Sequence, residues 1–156
     1  MTVKESTMTI SESTQIPFGG GHLTLEEANQ ILNHLPLEVS FIDKNDEIKY
    51  FNQRSKTGDM MFVRTAEDIG KTVYEAHPPK SQEMVKQLVK DLKSRRRTSE
   101  SMWYRTKDGS KYIYITFKGV FNEEGEYLGI MEYVQDIQPF FNLPSEMKFG
   151  LSKIED

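Results

Sequence analysis

Cysteine is absent from this chain. That excludes a disulfide framework, a thiolate metal site, a cysteine nucleophile and any chromophore held through a cysteine sulfur. Histidine is scarce, and His22, His34 and His77 are the full set. Their spacing fits no zinc motif and no acid–base constellation. The carboxylates are many but fall mostly in turns and on helix surfaces, so enzymatic catalysis is not expected. No apolar run approaches the roughly 18 residues that a membrane span needs. The N-terminus lacks the basic-then-apolar layout of a signal peptide, which points to the cytoplasm. A net charge of −4 gives no reason to expect nucleic acid or an anionic membrane as a partner.

What the chain does have is aromatic residues: 9 Phe, 7 Tyr and 1 Trp in 156 residues. That suits one packed domain with tails. Residues 1–22 are expected to form a flexible N-terminal tail, in which "MTVKEST" is nearly repeated as "MTISEST". Gly19, Gly20 and Gly21 then read as a loose hinge. They are not a phosphate loop, because no Lys-Ser/Thr follows at the required spacing. Residues 23–138 form the domain, and 139–156 a C-terminal extension.

The periodicity predicts a first helix from about Leu25 to His34. Thr24 and Glu27 make a capping box. Leu25, Ala28, Ile31, Leu32 and Leu35 form one apolar stripe, which Pro36 ends. "EVSFIDKNDEIKYFN" reads as a hairpin turning at Lys44, Asn45 and Asp46. A calcium loop there fails, since Ile48 stands where glycine is needed and Arg54 where glutamate is needed. The stretch from about Gln53 to Ala76 is less regular, with one helical turn in "TAEDIG" between Thr65 and Gly70. In "YEAHPPKSQEMVKQLVKDL", Met84, Val85, Leu88, Val89 and Leu92 lie on one helical face, while Lys86, Lys90 and Asp91 point away. Lys93, Arg95, Arg96 and Arg97 then complement the negative end of that helix's dipole.

From Thr98 to Ile137 the pattern is β throughout. An Asp108-Gly109 turn joins "SESMWYRT" to "KYIYITFKGVF", and "NEEGE" makes the next turn before "YLGIMEYVQDI". The order implies an α+β fold: a five-stranded antiparallel sheet with helices on one face and a capping N-terminal helix. Ile113, Ile115 and Phe117 share one face of their strand; Tyr112, Tyr114 and Thr116 share the other. Neither face is fully polar, so the second is also expected to be covered, by the first helix or by another subunit.

These words, in this order, resemble a PAS domain over about Leu35 to Gln138. The resemblance rests on "RTKDGSKYIYI", "NEEGEYLGI" and "VQDI", on "EDIGK", and on "HPP" ahead of the long helix. "LPLEVSFIDKNDEIKYF" and "HPPKS" further resemble the C-terminal PAS domain of uncharacterised bacterial proteins that carry a helical, partly hemerythrin-like region upstream. That region is absent here, so this is either a fragment of a longer protein with further N-terminal domains or a stand-alone version.

The resemblance implies a sensory or interaction module, and a pocket between the inner sheet face, the irregular segment and the long helix. Its candidate lining is Phe41, Met60, Met61, Phe62, Met84, Leu88, Trp103, Ile115, Phe117 and Met131, suited to a small apolar molecule. The same residues could simply fill a core. Photoactive flavin and thioester-linked chromophores need the missing cysteine. Haem would need one histidine; His77 is the candidate, although it precedes the helix and Pro78 suits a first helical position. A ligand-free homodimer is the structural alternative. It would use the Tyr112/Tyr114 face, the Leu25–Leu35 stripe, or Phe140, Phe141, Met147, Phe149 and Leu151. Pro139 and Pro144 argue against a C-terminal coiled coil.

Overall fold

A computed structural model describes residues 10–53, 60–150 and 154. The first "MTVKEST" copy, Arg54 and Leu151 lie outside the described residues. Within the expected N-terminal tail, β1 (Ile16–Phe18) and β2 (Gly21–Leu23) pair as a small antiparallel hairpin. Gly19 and Gly20 make its turn, not a hinge.

Helix α1 (Leu25–His34) starts at the expected capping box: the Glu27 N–H donates to Thr24 Oγ1 at 3.0 Å, and the Thr24 N–H to Glu27 Oε2 at 2.8 Å. Its apolar stripe is not buried. No residue of α1 is, and Leu25 and Ile31 are 40% and 51% exposed.

The sheet contains β3 (Glu38–Asp43), β4 (Ile48–Phe51), β5 (Ser99–Arg105), β6 (Tyr112–Phe121) and β7 (Tyr127–Asp136). The spatial order is β4-β3-β7-β6-β5, antiparallel throughout. Tight turns explain the hairpins. At the β5–β6 turn, Asp108 Oδ1 accepts from the Ser110 N–H and from the Thr106 and Ser110 hydroxyls, which holds its carboxyl at about 2. Gly125 takes φ 82° in the next turn, as a short β-turn there requires.

Helix α2 (Gln82–Lys93) crosses the inner sheet face. It begins later than the His77-Pro78 start expected from sequence. Pro79 forces Pro78 into an extended conformation (φ −58°, ψ 146°), and a 3-10 turn, Pro79–Ser81, comes before the helix. Val85, Val89 and Leu92 from α2 meet Ile42, Ile48, Ile113, Ile115, Phe117, Ile130 and Val134 in one core. Fully burying side chains of this kind stabilises by about 1.5–3 kcal/mol each.

Asp91 corrects the helix reading, because it is buried and does not point away. Its carboxylate accepts from Gln87 Nε2 at 2.8 Å and from Arg97 Nε at 3.1 Å, with Arg96 3.9 Å away. The cation cluster therefore does more than complement a dipole. Arg97 clamps Asp91, while Arg95 stacks on Phe121 and donates to the Gly125 carbonyl. The Arg97 hydrogen bond, with lesser help from Gln87 and Arg96, holds the Asp91 carboxyl below its ordinary 3.8, against desolvation. A depressed carboxyl adds stability above its unfolded value and loses it as pH falls through the folded one. Asp91→Asn should therefore lower the denaturant midpoint at neutral pH, and the deficit should shrink below about pH 3.8. A deficit that does not change with pH would show that the ionised clamp is not its source.

Candidate functional site

The inner sheet face, α2 and the segment from Phe62 to Ser81 enclose a cavity of about 380 Å³. Ile42, Ile115, Phe117 and Ile130 line it from the sheet; Val85, Leu88 and Val89 line it from α2. Phe62, Val73 and Ala76 come from the connecting segment, and Met102 from β5. Val63 and Met84, 57% and 58% exposed, stand at its rim. Polar lining is limited to Arg64, His77 and Ser81. This is the composition of small-molecule sites, which are concave and apolar with few polar groups.

Next to Arg64 the sheet carries a buried polar cluster. Glu38, Ser40 and Glu132 are buried on its inner face, with Ser40 opposite Glu132 in the β3–β7 ladder. Glu38 accepts the Met61 and Phe62 N–H groups at 3.1 and 3.0 Å. Those two bonds dock the connecting segment on the sheet and bring Arg64 into the cavity wall. The Arg64 guanidinium stands 3.6 Å from Glu132 Oε2. Desolvation pushes the Glu132 carboxyl up, an effect that Arg64 and His77 oppose and Glu38 reinforces. His77 Nδ1 lies 2.7 Å from the Val73 carbonyl oxygen. A carbonyl can only accept, so Nδ1 carries a proton; in the neutral ring that leaves the lone pair on Nε2.

The PAS domain family profile matches residues 28–138. The chain belongs to the PAS domain family. A crystal structure of a C-terminal domain from Streptococcus mutans is 41% identical with a TM-score of 0.81; the match covers 86% of this chain and all of that one. A PAS domain from Colwellia psychrerythraea is 17% identical, TM-score 0.53, covering 73% of this chain and 97% of that one. The PAS domain of Bordetella pertussis BvgS is 22% identical, TM-score 0.52, covering 72% and 85%. These last two support the fold alone. No curated protein matches.

In this PAS domain the expected pocket residues divide. Phe62, Met84, Leu88, Ile115 and Phe117 line the cavity, Met84 only at its rim. Phe41, Trp103 and Met131 lie on the opposite sheet face, since their strand neighbours Ile42, Met102 and Ile130 are the ones that line the cavity. Met60 lines a separate small crevice beside Glu38, and Met61 packs against the core. Arg64 escaped sequence reasoning. Its one signal is a lone cation inside the apolar run "MMFVRT".

The outer face is only partly covered. Phe141 stacks on Tyr112 with ring centroids 4.8 Å apart, and Tyr112 lies 5.6 Å from Trp103. Trp103 remains 63% exposed. Helix α1 meets the sheet at its β4 side, where the Asn52 amide donates to the Leu32 carbonyl and the Gln53 N–H to Asn33 Oδ1. It does not cap the outer face as expected. Among the described residues, no helix is long and apolar enough to cross a membrane.

Proposed function

We propose that this PAS domain is a non-enzymatic sensory module that holds a small, largely apolar molecule between α2 and the inner sheet face. The observation that carries the reading is the apolar cavity of about 380 Å³ with only three polar residues in its lining. A core built only for stability is close-packed and leaves few voids larger than a water molecule. Occupancy couples to signalling through α2, because a ligand touching Val85, Leu88 and Val89 stabilises one placement of that helix over others.

The test is mass spectrometry of small molecules released on denaturation. The wild type should release one, and Leu88→Trp, whose indole fills the cavity, should reduce its yield severalfold. Equal yields from both proteins would place the molecule elsewhere. Haem is one candidate molecule, since the His77 Nε2 lone pair is the form that binds iron. A Soret band that His77→Ala abolishes would select it over the apolar ligand.

A second reading, a homodimer through the outer face, draws support from the exposed Trp103 ring beside Tyr112 and Phe141. Light scattering decides it, and a monomer at high concentration counts against it.

A further inference from the structure

At the cavity wall stands Arg64, and next to it the buried Glu132; neither side chain makes a hydrogen bond among the described residues. The Arg64 side chain is 16% exposed and lines the wall. Among the described residues, no acceptor lies within hydrogen-bond distance of its guanidinium, and Glu132 Oε2, at 3.6 Å, makes only a charge contact. Glu132 is itself 7% exposed, and its Oε2 is buried without a hydrogen-bond partner. Glu38, by contrast, is engaged by two backbone N–H groups.

An unmade hydrogen bond to a buried charged group costs more than one to a neutral group. Glu132 Oε2 bears that cost; at Arg64, 16% exposed, a ligand acceptor would make a hydrogen bond to a charged group in place of water. The charge balance limits what the acceptor can be. Glu132 already stands 3.6 Å from the guanidinium, and Glu38 is buried on the same sheet face. A third carboxylate would add like charge where water cannot screen it. A neutral acceptor adds none. Besides Arg64, only His77 and Ser81 bring polar atoms to the wall; the other lining residues offer apolar contact.

We infer that the cavity selects an uncharged molecule with an apolar body and one polar head, whose acceptor bonds Arg64, and that it discriminates against carboxylates. The inference rests on the reading of the cavity as a ligand site. A primary carboxamide, ketone or hydroxyl head satisfies it. A carboxamide or hydroxyl would also offer a donor to Glu132.

The test uses three probes with one body: naphthalene, 1-naphthamide and 1-naphthoate. They are titrated near neutral pH into the full chain, freed of co-purified molecules by reversible denaturation, and followed by amide-resolved NMR. The amide should bind about tenfold or more tighter than the hydrocarbon, as expected for a hydrogen bond to a charged group. The naphthoate should bind more weakly than the amide. Arg64→Met should bring the amide down to the hydrocarbon's affinity in the same variant. Glu132→Gln should improve the naphthoate about tenfold relative to wild type, by removing one opposing charge.

Tightest binding by the naphthoate, or equal binding by amide and hydrocarbon, overturns the inference while leaving the cavity as a ligand site. An amide advantage that survives Arg64→Met overturns it as well. Failure of all three probes to bind the wild type overturns the cavity reading and the inference with it. The wild-type ranking alone decides the matter if a variant does not fold.

Discussion

Gly129→Ala is expected to cost about 3 kcal/mol or more, the largest loss foreseen for a single methyl group. Gly129 sits on β7 opposite Asp43 of β3, with φ 153°. A Cβ there would overlap the Ile42 carbonyl oxygen. It would also come within 2.8 Å of the Phe41 ring and 3.1 Å of the Asp43 Cα. Two of those three neighbours are backbone, so relief requires the central β3–β7 pair to separate. That pair carries Ile42 and Ile130, which belong to both the core and the cavity wall. A domain of this size has only about 5–15 kcal/mol to lose. Gly20→Ala is the control: nothing lies within 4 Å of the added atom, so a change within about 0.5 kcal/mol is expected. Urea unfolding of both variants reads the difference. A Gly129→Ala midpoint close to wild type would mean that the β3–β7 approach is looser than described.

Asn52→Ala should come second, at about 2–4 kcal/mol. Asn52 is 1% exposed. Its Oδ1 accepts the Val39 N–H at 2.8 Å, and its Nδ2 donates to the Leu32 and Leu37 carbonyls at 2.7 and 2.9 Å. One side chain thus joins the end of α1, the linker and the first sheet strand. Alanine leaves all three backbone groups without this partner, away from water. Asn52→Asp tests the same geometry with a pH handle. It keeps the acceptor for Val39 but turns a carboxylate toward two carbonyls, which raises its folded pKa. A raised carboxyl costs stability as pH climbs through that window, so Asn52→Asp should approach wild type in acid and fall behind at neutral pH. Equal stability of Asn52→Ala and wild type in denaturant titration would contradict the three-way bond.

Much of this PAS domain is legible in its sequence where local chemistry decides the outcome. The Thr24–Glu27 box, the Asp108-Gly109 turn and the Val85/Val89/Leu92 stripe are each built by neighbouring residues, and each stands as expected. The sheet's parity is a long-range matter. In "EVSFID", Phe41 is expected in the interior, yet Glu38, Ser40 and Ile42 are the buried ones. Likewise Glu132 is buried and Met131 is not. Both inversions come from the same cause, the polar cluster that the inner face builds around Arg64. Where a strand buries carboxylates, the apolar pattern points to the wrong side. Asp91 repeats the lesson on α2: its arginine partners follow the helix, so a helical wheel cannot reveal them.

The central claim is that the cavity beside Arg64 holds a molecule. A crystal structure of the protein as purified from cells tests it most directly. The account predicts non-protein density between Leu88, Phe117 and Ile130, with one atom in hydrogen-bond reach of the Arg64 guanidinium. A cavity closed by α2, with Arg64 bonded to Glu132 and no such density, would contradict it.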